Sequence, residues 1–343
     1  AFGYVKDQWI VCPNNSEVFK RATAKNMQVI GFDFNSEYDF KFAKEFKKIA
    51  QEKNADVVFL HSSKAQTLAV MSSFIYRMKT PLVLCRTLIR RVDTNFLRKW
   101  KYNYSGIKKI ICVSHPVVDV LKYAVKDHSK LCVVGSVTDI NKFPHQQSTG
   151  KLRKEFNIDP SLPIIGNIAE FTGFKDHKTW VKTVSVLVNK HQLKAKFILV
   201  GKGALEEEIR ALVKELQLED HIIFAGFRKD IPEILPDFDL FMFTSNNEPT
   251  GGVLLESYAC KVPIVAANAG GIPEVVINNQ TGLLAEVGNP EDFAEKVILL
   301  LNNPELQEKF KEKGYQYLLD NFTKEVIAKK MFTELNEVVK SNQ

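Results

Sequence analysis

The feature that most constrains this chain is an alternation, made twice, of short apolar runs with longer amphipathic stretches. In the first half, strands are expected at Trp9–Cys12, Val29–Phe32, Val57–His61, Leu82–Arg86, Lys109–Val113 and Leu131–Val134. Helical patterns such as Phe40–Lys53 and His115–Val125 lie between them. Parallel strands need a long crossover, usually a helix, so this order implies parallel sheets. The runs are apolar throughout rather than alternating, which suits a sheet covered on both faces. A break follows at 143–163, where Phe143-Pro144-His145-Gln146-Gln147-Ser148-Thr149-Gly150 precedes a short basic helix and then Pro160 and Pro163. The alternation restarts with strands expected at Pro163–Ile168, Lys196–Val200, His221–Ala225, Leu240–Thr244, Val262–Ala266 and Gly282–Ala285. Helices Phe293–Leu301, Pro304–Asn321 and Lys324–Ser341 close the chain. The expected fold class is α/β, with two Rossmann-like doubly wound domains facing across a cleft. The first spans 1–145 and the second 146–322.

At 343 residues the chain is too long for one ordinary core, which agrees with two domains. No run of 18 apolar residues occurs, so no membrane-spanning helix is expected. The five cysteines, Cys12, Cys85, Cys112, Cys132 and Cys260, show no CxxC spacing. That argues against a zinc site and a disulfide framework and fits buried thiols in a reducing compartment. Ala1-Phe2-Gly3-Tyr4 carries neither an initiating Met nor a signal pattern, and reads as a chain that begins partway. Charge is uneven. Residues 1–145 hold 24 Lys/Arg against 12 Asp/Glu, whereas 146–343 hold 23 against 28. The first half is therefore expected to meet an anionic partner.

Ligands of doubly wound folds bind outside the carboxyl ends of the strands, so the chemistry belongs in the strand-to-helix loops. The densest such loop is Thr244-Ser245-Asn246-Asn247-Glu248-Pro249-Thr250-Gly251-Gly252-Val253-Leu254-Leu255-Glu256. Two glycines at a helix start let a ligand approach the backbone, and the free amides there suit a phosphate. Glu256, one and a half turns inside, can reach diol oxygens. Glu248, before the glycines, is better placed for a sugar hydroxyl. Each element alone is weak, since Gly-Gly at a helix start is usually a turn and a helical Glu usually a solvated face. Ala269-Gly270-Gly271-Ile272-Pro273-Glu274 and Thr281-Gly282-Leu283-Leu284 follow, the first with Pro at an opening helical position.

Glu248-x7-Glu256 together with these two segments resembles the signature of family-4 retaining glycosyltransferases of the GT-B fold. Gly201-Lys202-Gly203 and Phe224-Ala225-Gly226-Phe227 stand where that family has similar turns. The resemblance covers 163–340 closely and 50–143 more loosely. It implies that Glu256 binds the nucleotide ribose and Glu248 the donor sugar, with the amides of Gly251, Gly252 and Val253 on the diphosphate. The backbone around Phe227 and Arg228 would meet the base. A closing helix over 323–343 would pack back on the first domain. In Gly166-Asn167-Ile168-Ala169-Glu170-Phe171-Thr172-Gly173-Phe174-Lys175-Asp176-His177-Lys178, Lys175 fits the family's cation for the departing diphosphate. Asn167 takes the place of the family's Arg, and Lys178 is the alternative cation. The plain reading of Lys175 is an exposed lysine at a helix start. No Asp-x-Asp pair lies on a suitable loop, so metal independence is expected, with no cofactor beyond the nucleoside-diphosphate sugar. Val137 replaces the glycine of a family turn ending at Asp139, which reads as structural.

In the first half, His61-Ser62-Ser63-Lys64 opens a helix after a strand, and His61 is a catalytic candidate there or a structural cap. From Arg86 to Lys109 stand eight basic residues and one acid, interleaved with aromatics. Taken alone this suits an anionic membrane surface, RNA, or a solvated helix face. It also resembles the subset of the family acting on lipopolysaccharide or similar envelope glycans. Arg86, Arg90, Arg91, Arg98, Lys99 and Lys101 are thus candidate acceptor or membrane contacts, with a glycan or glycolipid acceptor and no nucleic acid. The resemblance implies a cytoplasmic protein, peripheral on the inner face of the plasma membrane. Three rivals stand beside this reading. One is a sugar-nucleotide epimerase or phosphorylase on the same architecture. Another is a nicotinamide dehydrogenase, against which Leu205-Glu206 stands where GxGxxG needs its third glycine. The last is a non-catalytic module that binds sugar nucleotides or RNA.

Overall fold

The computed structural model describes residues 7–33, 36, 38–92, 95–144 and 146–342. Ala1–Tyr4, His145 of the expected linker, and Asp93 of the basic stretch lie outside the described residues. Contacts divide the chain into two units. Unit 1 is Ala1–Gly135 with Glu325–Gln343, and unit 2 is Ser136–Lys324.

The division falls after Gly135, where the sequence placed it at 145. The reason is local. Thr138 donates its amide to the Phe322 carbonyl at 2.9 Å and forms a bridge with Thr323. Asp139 pairs with Lys324. Residues 136–142 are thereby tied to the end of unit 2.

Unit 1 opens with β1 (Ile10–Pro13), α1 (Glu17–Ala24), β2 (Val29–Phe32) and α2 (Phe40–Glu52). It continues through β3 (Val58–Leu60), α3 (Ser63–Phe74), β4 (Leu82–Arg86), α4 (Phe96–Tyr102), β5 (Ile107–Cys112), α5 (His115–Lys122) and β6 (Leu131–Val133). β3, β4, β5 and β6 form a parallel sheet in that order, and β1 and β2 make a separate parallel pair. Successive strand residues face opposite sides, so Leu82, Leu84, Ile110 and Cys112 pack on one layer with Ala69, Val117 and Leu121. The other side is built from Val83, Ile111 and Val134. They are covered by Ile327 and Val338 of the closing helix, which is numbered below.

Unit 2 runs α6 (Lys151–Glu155), β7 (Ile164–Ile168), α7 (His177–Asn189), β8 (Lys196–Val200), α8 (Glu206–Glu215) and β9 (Ile222–Gly226). Then come α9 (Ile231–Ile234), β10 (Leu240–Phe243), α10 (Gly252–Ala259), β11 (Ile264–Ala267), β12 (Leu283–Ala285), α11 (Pro290–Leu301) and α12 (Pro304–Asn321). The last helix, α13 (Lys324–Lys340), belongs with unit 1 from Glu325 onward. There Lys109 of β5 pairs with Glu334 and Glu337.

The six strands of unit 2 are all parallel, in the order β12-β11-β10-β7-β8-β9. Helices cover both faces, so each of Leu240, Phe241, Met242 and Phe243 is buried regardless of parity. Fully burying each such side chain contributes about 1.5–3 kcal/mol. After β7 the chain builds outward through β8 and β9, then returns to lay β10 on β7's other side. The strand order therefore reverses between β7 and β10, the place where ligands of such sheets settle.

Candidate active site

Three loops of unit 2 converge at the carboxyl ends of β7, β10 and β11. The loop after β7 makes a 3-10 turn at Gly173–Lys175, and Asp176, in the left-handed region with φ 47°, caps α7. The loop after β10 is pinned on it. Ser245 Oγ and the Asn246 amide both donate to the Phe174 carbonyl, at 2.9 and 2.8 Å. Thr244 Oγ1 donates to the Asp176 carbonyl at 3.0 Å. The third loop joins through the Gly271 amide, which donates to the Glu248 carbonyl at 2.8 Å.

The result brings Lys175 and Glu248 together. Lys175 Nζ lies 2.6 Å from Glu248 Oε2, and Ser245 Oγ, whose one proton is shared with the Phe174 carbonyl, lies 3.1 Å from the same oxygen. Both side chains are largely buried, at 16% and 11% exposure. An ion pair in so dry a place needs hydrogen bonds to offset lost hydration, and Ser245 supplies one. The Lys175 ammonium also lies 5.2 and 5.3 Å from the rings of Phe174 and Phe243. A cation and a carboxylate thus share the switch point. His177 follows, buried and stacked on Phe171 at 4.2 Å. Burial and the Lys175 charge push its pKa down to about 4, so it is neutral at ordinary pH.

Gly251 opens α10 with φ 75°, a conformation that favours glycine, and a Cβ there would meet Leu254 at 2.8 Å. Gly252 has open space around its Cα and is exposed. The first amides of a helix have no intrahelical partner, so Gly252 and Val253 present donors at the positive end of α10. Glu256 is half-buried deeper in α10. Burial pushes its carboxyl up from the ordinary range, and nearby Lys142 pulls it down.

The turn after β8 is shaped by close approach. A Cβ on Gly201 would lie 1.9 Å from the Ala169 carbonyl oxygen, at φ 145°. After β9, Phe227 stands 65% exposed. The Arg228 guanidinium is already engaged, at 2.5 Å from Glu155 and 2.7 Å from Asp230. That guanidinium holds the Asp230 carboxyl well below the usual carboxylate range.

Other candidates lie elsewhere. Asn167, expected near the nucleotide, is 1% exposed and spends its amide on the Met242 carbonyl at 2.8 Å, bracing β7 against β10. It stands in β7, one residue before the strand ends, and its Oδ1 is buried without a hydrogen-bond partner. Lys178 pairs with Glu208 at 2.5 Å on the exposed side of α7. His61 belongs to unit 1, exposed at the end of β3 with its ring edge-on to Phe59. Arg90, Arg91, Arg98 and Lys99 are exposed. Arg86 is half-buried and donates to the Arg90 carbonyl at 3.1 Å. Lys101 is turned toward α3, donating to Thr67 Oγ1 at 2.9 Å.

Sequence reasoning missed Ser245, Phe174 and Lys142. The pattern that marks them is only their nearness to Glu248, Lys175 and Glu256, and that appears on folding. Among the described residues, no three His, Cys, Asp or Glu side chains gather as a metal site. No helix of the described residues is long and apolar enough to cross a membrane.

Two Rossmann-like units of parallel sheets make the GT-B fold, which this chain shares with solved glycosyltransferases. The sequence profile described as "Glycosyl transferases group 1" matches residues 148–317. The match takes in just under half of the chain and contains the glutamate pair and glycine turns on which the resemblance rests. It is 27% identical over 311 residues to N-acetyl-alpha-D-glucosaminyl L-malate synthase of Bacillus anthracis, covering 89% of this chain and 81% of that one. It is 25% identical to a Campylobacter jejuni enzyme, N,N'-diacetylbacillosaminyl-diphospho-undecaprenol alpha-1,3-N-acetylgalactosaminyltransferase, covering 98% and 93%. HepE of Anabaena, solved with UDP and glucose, shares the fold with a TM-score of 0.80 at 20% identity, over 96% of this chain and 91% of that one.

Proposed function

We propose that this chain moves a glycosyl group from a nucleoside-diphosphate sugar to an acceptor hydroxyl, with retention of configuration, in the synthesis of an envelope glycan. The observation that carries this is the Lys175–Glu248 pair at 2.6 Å, placed at the switch point where α10 also opens. The amides of Gly251, Gly252 and Val253 receive the diphosphate, and Lys175 neutralises the charge that grows on it as the glycosidic bond breaks. Fixed charge aimed at a developing anion is usually the largest catalytic term. Glu248 holds hydroxyls of the donor sugar, Glu256 those of the ribose, and the backbone at Phe227 and Arg228 meets the base. The acceptor attacks on the face the diphosphate leaves, and the diphosphate takes its proton. Lys175 and the helix terminus do a metal's work, so no metal is required. The Anabaena relative with UDP and glucose and the Campylobacter relative that builds on a diphospho-undecaprenol carrier support a nucleotide-sugar donor and a glycan or glycolipid acceptor.

The acceptor side is assigned to unit 1, with His61 beside the acceptor hydroxyl. Its stretch from Arg86 to Lys101 docks on an anionic membrane at the cytoplasmic face. Support comes from Phe74, Phe96, Leu97 and Trp100, all exposed beside Arg98 and Lys99. Apolar rings beside cations suit the boundary between headgroups and acyl chains. The donor reading is checked by thermal stabilisation with UDP-, GDP- and ADP-sugars. A ligand at 100 times its dissociation constant adds about 2.7 kcal/mol to stability. No shift with any of them sinks the donor assignment.

A further inference from the structure

Phe174 carries an observation that the transfer reaction does not yet use. Unit 2 exposes two large aromatic rings, Phe174 at 41% and Phe227 at 65%, among the described residues. Both stand on loops at the carboxyl edge of the sheet, after β7 and β9. Phe174 is the one beside the Lys175–Glu248 pair.

Its backbone is fixed. Ser245 Oγ and the Asn246 amide hold its carbonyl at 2.9 and 2.8 Å, and the Lys175 amide donates to the Thr172 carbonyl at 3.1 Å. The next residue places its ammonium 5.2 Å from the ring and pairs with Glu248. An exposed phenyl on a pinned turn forfeits the burial that such a ring usually gains. A ligand that covers it restores that gain.

The chemistry of the surroundings names the ligand. A pyranose ring has hydroxyls around its rim and a patch of C–H groups on its face. The C–H groups are weakly positive and match the negative face of an aromatic ring. A carboxylate accepts from the rim hydroxyls. Glu248 offers that carboxylate and Phe174 the aromatic ring, with Lys175 paired to the first and 5.2 Å from the second. We infer that Phe174 is a specificity-determining platform that stacks on the glycosyl ring of the donor. This rests on the donor reading of the Lys175–Glu248 site.

The test separates the sugar from the nucleotide. Dissociation constants are measured by calorimetry for UDP and UDP-glucose, GDP and GDP-mannose, and ADP and ADP-glucose. The wild-type protein and Phe174→Ala and Phe174→Tyr are compared on whichever pair binds. Phe174→Ala should weaken the nucleotide sugar about 5–10-fold, the scale of one aromatic contact, and leave the matching nucleoside diphosphate within about twofold. Phe174→Tyr, which keeps the ring, should restore wild-type affinity. The ring is partly exposed, at 41%, and an unchanged melting temperature checks that the fold is intact. Equal losses on both ligands, or on neither, overturn the platform while the donor reading stands. Failure of the wild-type protein to bind any of the three pairs overturns the donor reading and the platform with it.

Discussion

Glu256 is held half-buried in α10, and desolvation lifts its carboxyl above the ordinary range, with Lys142 opposing. A ribose hydroxyl donates best to the ionised form. Nucleotide affinity should therefore rise as pH climbs through the raised value and fall below it, at a higher pH than the usual carboxylate near 4.3. Folding has the opposite sign. A raised acid favours the protonated folded state, so this residue's share of stability is lost as pH rises past its unfolded value. Glu256→Gln should thus cost about 1.5–3 kcal/mol of nucleoside-diphosphate affinity at neutral pH and abolish the acid limb. Calorimetry across pH decides it, and unchanged affinity removes Glu256 from the ribose. Lys175→Ala should lower turnover about 10²–10³-fold, as expected for removing charge stabilisation from a leaving group. Activity within a few-fold of wild type would move that role elsewhere. Lys178 is a poor substitute because Glu208 already holds it at 2.5 Å. A chelator should leave the wild-type rate unaltered, and a loss restored by magnesium refutes metal independence.

At the scale of elements, most strands were legible because their apolar runs are short and bounded. Val29–Phe32, Leu82–Arg86 and Lys196–Val200 fall where expected, and the others shift by one or two residues at one or both ends, where ladder pairing rather than the apolar run sets the limit. The loop from Thr244 to Glu256 was legible because Gly-Gly and two glutamates combine there. The bond from Asn167 to the Met242 carbonyl was not, since it depends on β10 lying beside β7. Ser245 was invisible because its role is to reach Glu248 and Phe174, a contact set by the fold. The register of α13 was also hidden, because it depends on a lysine more than 200 residues away. Lys109 is 15% exposed between Glu334 and Glu337. Lys109→Met should leave two carboxylates facing each other without a cation and cost about 1–3 kcal/mol. Adding Glu334→Leu and Glu337→Gln should recover most of it, as coupled sites do. Chemical denaturation measures both, and a single mutant as stable as wild type would show the trio to be incidental.

Over the whole molecule, charge is divided between the halves: 24 Lys/Arg against 12 Asp/Glu before residue 146, and 23 against 28 after it. A net charge of +7 spread evenly would give weak, general attraction to anions. Concentrated beside exposed rings, it gives a face. Phe96 is 79% and Leu97 67% exposed, and the rings of Phe74, Trp100 and Tyr104 meet one another at 5.2 to 6.4 Å. Each Lys or Arg near an anionic bilayer contributes about 1 kcal/mol, a term screened over about 8–10 Å at physiological salt. The rings add a contribution that salt does not weaken. Reversing Arg90, Arg98 and Lys99 to Glu should therefore abolish sedimentation with anionic vesicles. Lys101 is left in place because it bonds Thr67. Replacing Phe96 and Leu97 by Ser should weaken binding mainly at high salt, where the ionic part is already screened. Neither set should alter nucleotide affinity, since Lys175, Glu248 and Glu256 belong to unit 2. If the wild-type protein ignores anionic vesicles even at low salt, the stretch is an acceptor clamp or a solvated face. The membrane assignment then falls, and the transferase assignment is untouched.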